Sequence, residues 1–306
     1  MIISIDHGNR NVKTGHGLCF NSGFTKSATV PPMAKDVVFY DNNYYALSQN
    51  TFPFVLDKTK NENFFILSLF AIAKELQFVN KNEGNYKISL SIGLPPMHYG
   101  ALKEKFENYF YNNFKDGVNF TYNNYDYNII VDKIYVFPQA YAAALSSEKA
   151  SFVYDYPKCY ILDIGGYTAD LLELEEQMPN LDKCRSMEFG VLKMYEIIKD
   201  KVLQDTTYII DNSAIESVLS NKKHALDEET VKIIKEQASI YTDNIFNQIR
   251  QFGIDLRTTP VIFIGGGSIL LREYIDKSDK IGLHEYIDDI CANAVGYFIF
   301  ACDMAG

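Results

Sequence analysis

The chain has 306 residues, 47% of them hydrophobic and 22% charged, which is enough to bury a full core in one large domain or two closely joined lobes. Its formal net charge is -10 and it holds no sustained Lys/Arg stripe, so direct binding to a nucleic-acid backbone is not expected. No apolar run is long enough to span a membrane, and Met1 to Asp6 reads as a strand without the basic start of a signal peptide.

In chain order, an apolar strand from Ile2 to Ile5 runs into Asp6-His7-Gly8-Asn9-Arg10-Asn11 and then a second strand from Val12. A third strand is expected near Phe24 to Val30, followed by a hairpin from Val37 to Leu47 that turns on Asp41-Asn42-Asn43. Phe65, Leu69, Ile72 and Leu76 recur at helical spacing and predict a helix over Phe64 to Phe78. Ile88 to Leu94 reads as a buried strand stopped by Pro95-Pro96, Ala101 to Phe114 as a helix, and Val118 to Val136 as strands around Asn123-Asn124. A short helix should begin just after Pro138, where proline is tolerated in a first turn.

The second half opens in the same way. Cys159 to Leu162 is a strand, Asp163 to Thr168 a turn and Ala169 to Leu174 a strand. A strand from Cys184 to Phe189 leads through Gly190 into a helix over Val191 to Val202. The pattern then predicts continuous helix from Ile209 to Phe252, a strand over Pro260 to Ile264, and a closing helix over Ile287 to Phe300. Strand, Asp-turn, strand, strand, helix thus occurs twice, starting near residues 2 and 159. Two such units imply an α/β protein of two lobes, 1–150 and 151–306, each with a mixed sheet, and a cleft between them.

Three segments bear on chemistry. In Asp6 to Lys13, backbone N–H groups of a tight turn can face phosphate oxygens, Gly8 permits close approach, and Lys13 supplies a point charge. An ordinary Asx-Gly hairpin would use the same residues for conformational reasons alone. Leu162 to Asp170 repeats that logic, since a carboxylate ending a buried strand is expensive unless paired or facing a cation. Val261 to Ser268 places three glycines between strand and helix, but neither G-x-G-x-x-G nor a Walker A motif is present. Five cysteines stand far apart without CxxC or nearby His, which disfavours a metal or disulfide framework and fits a reducing cytoplasm.

Together the segments resemble the phosphate-1, phosphate-2 and adenosine motifs of the actin, Hsp70 and sugar-kinase superfamily, in the correct order. Phe137 to Ala144 resembles its first connecting helix and Ala292 to Tyr297 its second. Within it, the Asp-x-Gly-x-x-Asn-x-Lys opening, Ser91 to Pro95 and the Asn-Ala-x-Gly-Tyr ending are most similar to the bacterial plasmid-segregating actins, the ParM/StbA family. Those relatives place a glutamate after the connector proline, where this chain has Gln139, as actin does.

The resemblance implies two ribonuclease H-like lobes that bind and hydrolyse ATP (some relatives use GTP) with Mg²⁺. It assigns Asp6 and Asp163 to water-mediated Mg²⁺ coordination, and Gly8, Asn9, Arg10 and Asn11 with Gly165, Gly166, Tyr167 and Thr168 to clamps around the phosphates. Lys13 would neutralise charge, Gln139 orient the attacking water, and Asp170 stand near it as a second polar group. Gly190, Gly265, Gly266, Gly267 and Ser268 would line the nucleoside. The implied partners are further copies of the chain in a filament and a DNA-binding centromere adaptor, with neither nucleic acid nor membrane touched directly. A small-molecule kinase, with Asp170 as its base, and a non-polymerising chaperone or cell-division ATPase are the alternatives.

Overall fold

In the computed structural model, which describes residues 1–305, the first fold unit opens with β1 (Ile2–His7), β2 (Asn11–Thr14), β3 (Cys19–Asn21) and β4 (Phe24–Ser27). The hairpin β5 (Val37–Tyr40) and β6 (Asn43–Leu47) follows, then α1 (Asn63–Phe78), β7 (Gly84–Leu94), α2 (Pro96–Phe114), β8 (Val118–Tyr122), β9 (Tyr125–Pro138) and α3 (Tyr141–Ser146). The second unit holds α4 (Ala150–Tyr154), β10 (Lys158–Ile164), β11 (Ala169–Glu175), β12 (Met178–Met187), α5 (Val191–Thr206), α6 (Asn212–Leu219) and α7 (Glu228–Gln251). It ends with β13 (Val261–Ile264), α8 (Gly266–Lys277) and β14 (His284–Tyr286), before the terminal helix α9 (Ala292–Ala305).

The first unit is one nine-stranded sheet, β3-β2-β1-β7-β9-β8-β5-β6-β4. The second is a five-stranded sheet, β12-β11-β10-β13-β14. In both, an antiparallel pair turns on the Asp segment, and its first strand pairs on its other edge in parallel with a strand from later in the chain (β1 with β7, β10 with β13). The first unit extends this common five-strand core by four strands at one edge.

Each sheet buries its own core. Helix α1 is apolar on nearly every side, and Phe65, Leu69, Phe70 and Ile72 are all at most 1% exposed, as a helix without a polar face must be. Helix α7 is amphipathic instead and buries Ile234, Tyr241, Ile245 and Ile249. Asp227 caps it by accepting from the Thr230 N–H at 2.8 Å, and Glu228 and Glu229 lie in the first turn with Arg250 in the last, each charge placed to suit the helix dipole.

Several boundaries differ from the sequence pattern. The run from Ile209 to Phe252 is not one helix, because Asn221 takes φ 53° just past α6 and Asp227 starts a new helix. Strand β12 begins at Met178 rather than Cys184, entered by a two-residue turn whose Glu176 and Gln177 both have positive φ. That turn normally calls for Asn-Gly or Asp-Gly, so nothing in Glu-Gln announces it. The closing helix starts at Ala292 and not Ile287, since His284 to Tyr286 pair in parallel with β13 and Ile287 N–H still bonds the Phe263 carbonyl at 2.9 Å.

The division of the chain also differs at its end. The units are Met1–Ser147 with residues from Cys291 onward, and Glu148–Ile290. Helix α9, expected in 151–306, packs in the first unit. Ser91 Oγ donates to the Tyr297 carbonyl at 2.8 Å, and a Cβ on Gly93 would meet the Tyr297 ring at 2.1 Å.

Candidate nucleotide site

The first Asp turn is a four-residue loop, 8–11, closed by the pairs His7↔Val12 and Asp6↔Lys13. A Cβ on Gly8 would lie 2.5 Å from the Asn11 carbonyl oxygen, so the loop is too tight for any side chain there. Neighbouring groups hold its backbone: Ser22 Oγ donates to the Gly8 carbonyl, and Ser22 N–H donates to the Arg10 carbonyl at 3.0 Å. Asn9 Oδ1 accepts from Val55 N–H at 3.2 Å, and Asn11 Nδ2 donates to Asn21 Oδ1 at 3.1 Å, so both side chains brace the loop.

Asp6 is 2% exposed at the end of β1. Lys13 Nζ stands 3.7 Å from its Oδ2, and Gln139 Nε2 donates to its Oδ1 at 2.8 Å. Asp6, Lys13 and Gln139, 133 residues apart at the extremes, are therefore brought together. Gln139 hangs from the last rung of the parallel β7–β9 ladder, its N–H bonded to the Leu94 carbonyl at 2.8 Å. The next residue, Ala140, has φ 65° and ψ -45° and is fully buried. A side-chain-bearing residue in that region costs on the order of 1–3 kcal/mol and persists only where its surroundings over-determine it.

Behind the turn lies a pair that sequence reasoning missed. Lys58, 5% exposed, donates from Nζ to the His7 carbonyl. The His7 ring stacks on Phe110, with centroids 4.9 Å apart, and bonds Ser68 Oγ through Nε2 at 2.7 Å. Burial, with Lys58 adding to it, lowers the His7 pKa well below its ordinary value. Lys58 carries no local signal, because Asp57-Lys58-Thr59-Lys60 reads as a solvated charged loop.

The second Asp turn has the same frame. Loop 165–168 is closed by Ile164↔Ala169 and Asp163↔Asp170, and Gly165 N–H bonds the Thr168 carbonyl at 2.8 Å. The Gly165 and Gly166 carbonyls accept from Val191 and Leu192 N–H at 3.1 and 2.9 Å, satisfying free donors in the first turn of α5. Gly190 is required by that joint, since its Cβ would meet the Gly166 carbonyl carbon at 2.4 Å, and Tyr241 donates to its carbonyl at 2.8 Å. Asp163 and Asp170 face each other across the ladder, and Thr168 Oγ1 donates to Asp170 Oδ2 at 2.9 Å.

The glycine run joins the same place. Gly265 has φ 91°, and a Cβ there would lie 2.4 Å from Asp163 Oδ1. A Cβ on Gly267 would strike Ile164 and Val191, whereas one on Gly266 would meet nothing within 4 Å. Packing demands the outer two glycines and leaves the exposed middle one unexplained. Ser268 is 1% exposed, with its hydroxyl bonded to the Ile264 carbonyl at 2.6 Å. Two surface pockets, one lined by Phe39 and Asn128 and one by Leu226 and Val231, include no residue of these turns.

Two family profiles match the sequence: "actin like proteins N terminal domain" over residues 4–141, and "archaeal actin homologue MreB-like, C-terminal" over 161–277. The chain belongs to the actin-like proteins. Its fold agrees. The archaeal actin homolog Ta0583 superposes with a TM-score of 0.78 at 18% identity over 99% of each chain, and its ADP complex with 0.72 over the same share at the same identity. The apo pSK41 ParM protein gives 0.72 at 13% identity, over 100% of this chain and 99% of that one. A 15-stranded ParM filament from Clostridium botulinum gives 0.71 at 15% identity over 99% of each. No curated protein matches the sequence of this actin-like chain.

Single carboxylates suit Mg²⁺, which keeps several waters and takes one or two protein carboxylates alongside phosphate oxygens. Among the described residues no group of three or more His, Cys, Asp or Glu could hold an ion alone. Asp163 lies directly opposite Asp170 in the ladder, so two carboxylates of the donor type that a hydrated Mg²⁺ takes stand side by side there. No disulfide joins any of the five cysteines, and no helix among the described residues is long and apolar enough to cross a membrane.

Proposed function

We propose that this chain is a cytoplasmic ATPase that assembles with Mg-ATP into filaments and, through a DNA-binding adaptor, segregates a plasmid or other DNA. The observation that carries the catalytic part is the hydrogen bond from Gln139 Nε2 to Asp6 Oδ1. With its amide nitrogen committed to Asp6, Gln139 presents Oε1 to a water as a fixed acceptor. Glutamine is too weak a base to remove a proton, so its contribution is positioning, which phosphoryl transfer rewards. Lys13 offsets charge on the phosphates, and the Gly8 and Gly165 turns supply backbone N–H groups. Asp6 and Asp163 each present a single carboxylate of the kind that takes Mg²⁺ through water, and the ion's charge would offset that building on the phosphate oxygens.

Gly266 supports a nucleoside at the glycine run, since the protein's own packing has no need of a glycine there. The ADP complex of Ta0583 supports the nucleotide, and the ParM filament structure supports assembly. The adaptor follows from an acidic surface acting on DNA.

Light scattering of the purified protein should rise on adding Mg-ATP and decay as nucleotide is spent. Gln139→Ala should slow hydrolysis while changing nucleotide affinity little, and its polymers should persist longer. A protein that stays monomeric with a non-hydrolysable ATP analogue in the ultracentrifuge would count against the filament, and wild-type turnover in Gln139→Ala against the assigned role.

A further inference from the structure

The conformation that aims Gln139 is not one its own residues prefer. Tyr141 N–H donates to the Gln139 carbonyl at 2.7 Å, closing a three-residue turn on Ala140 at φ 65° and ψ -45°. This is the rare, strained form of the γ-turn, and here its centre carries a Cβ. The turn also leaves the Ala140 N–H buried, with no backbone carbonyl in line to take it. One side chain does: Asn293 Oδ1, in the first turn of α9, accepts that N–H at 2.7 Å. Asn293 is 6% exposed. Its place is set by packing, because Gly296 brings the backbones of α9 and α3 so close that a Cβ would lie 2.6 Å from the Ala142 carbonyl oxygen and 2.7 Å from the Ala143 nitrogen.

We infer that Asn293 is a positioning residue for ATP hydrolysis. By accepting the Ala140 N–H it holds the strained turn, and the turn holds Gln139 against Asp6. Without the acceptor, Ala140 relaxes to negative φ, the peptide planes on either side rotate, and the Gln139 amide leaves Asp6 Oδ1. Nucleotide contacts elsewhere are untouched, so the loss falls on kcat. The inference rests on the ATPase reading above.

The test is a pair of variants. Asn293→Ala should lower kcat about tenfold with KM for ATP changed less than about twofold, the pattern of a lost transition-state contact. Adding Ala140→Gly should return most of that kcat, because glycine takes positive φ without a steric cost. A merely structural asparagine gives no such rescue. Full kcat in Asn293→Ala, or a loss that Ala140→Gly leaves in place, overturns the inference. Should Asn293→Ala fail to fold, amide hydrogen exchange on the wild-type protein decides instead. The Ala140 amide should be among the slowest in its unit, and fast exchange there refutes the bond. Slow exchange in a wild-type protein that turns over no ATP would overturn the ATPase reading and leave Asn293 a structural clamp only.

Discussion

The two Asp turns share a backbone frame and differ in what stands on it. Both are four-residue loops, with the aspartate one residue before the last ladder pair, so Asp6 corresponds to Asp163, His7 to Ile164 and Lys13 to Asp170. In the first turn the carboxylate faces a lysine, and Gln139 donates to it. In the second it faces another carboxylate and lies against the start of α8, where Gly265 leaves room for it. One frame thus carries a carboxylate that faces a lysine and a carboxylate that faces another carboxylate. The same strand order does not fix the electrostatics of a site; the ladder partner two positions beyond the loop does.

The largest effect should come from the second turn. Asp163→Ala should lower ATP turnover at least about tenfold, the scale of ~1.4 kcal/mol in a barrier. Wild-type turnover in that variant, with Mg²⁺ still required, would reduce the second turn to a structural feature.

Glycine substitution sharpens the comparison of the loops. Gly8→Ala should cost about 1–3 kcal/mol by denaturant unfolding, as an overpacked site does, because its Cβ has nowhere to go but 2.5 Å from the Asn11 oxygen. Gly165→Ala should cost less, since its nearest neighbour would be the Thr168 oxygen at 3.4 Å. Equal costs would mean the two loops are held less differently than their geometry states.

The smallest effect concerns His7. Its folded pKa is lowered by burial and Lys58, so the unfolded chain protonates first, below about pH 6.5. Stability is therefore fully present above that pH and falls as pH drops further, with a slope of at most about 1.4 kcal/mol per pH unit. His7→Ile, which imports the residue of the second turn, should flatten that slope. Ser68 Oγ keeps a partner in the Phe64 carbonyl at 2.8 Å, so the variant leaves no new orphan there. His98, also lowered by burial, adds a slope that the variant retains. A pH profile unchanged by His7→Ile would show that this ring does not titrate on unfolding.

The sequence pattern made the repeated frame legible because strand ends, Asp and Gly are local signals. Asp6, Gly8, Asp163, Gly165 and Gly265 stand where a chain turns tightly at the end of an apolar run, and both the turn and the run are written within ten residues. The hairpin turns at Asp41-Asn42 and Asn123-Asn124 were legible for the same reason, as residues that tolerate positive φ. The turn at Glu176-Gln177 was not, since its φ values are imposed by the β11–β12 pairing and no residue there prefers them. Nothing local marks the surroundings of His7, because its aromatic cage of Phe64, Phe106 and Phe110 comes from two helices far along the chain.

What the sequence determined by itself was the set of elements, the doubling of strand, Asp-turn and strand, and the glycines that a tight backbone needs. Those depend on interactions between near neighbours, where residue type and spacing suffice. Tertiary structure alone decided that α9 belongs with the first unit, that Lys58 lies under the first turn, and that Asn293 accepts the amide beside Gln139. Each of these joins residues tens to more than a hundred positions apart. Their partners are chosen by which surfaces the two sheets bury, and no local periodicity encodes that choice.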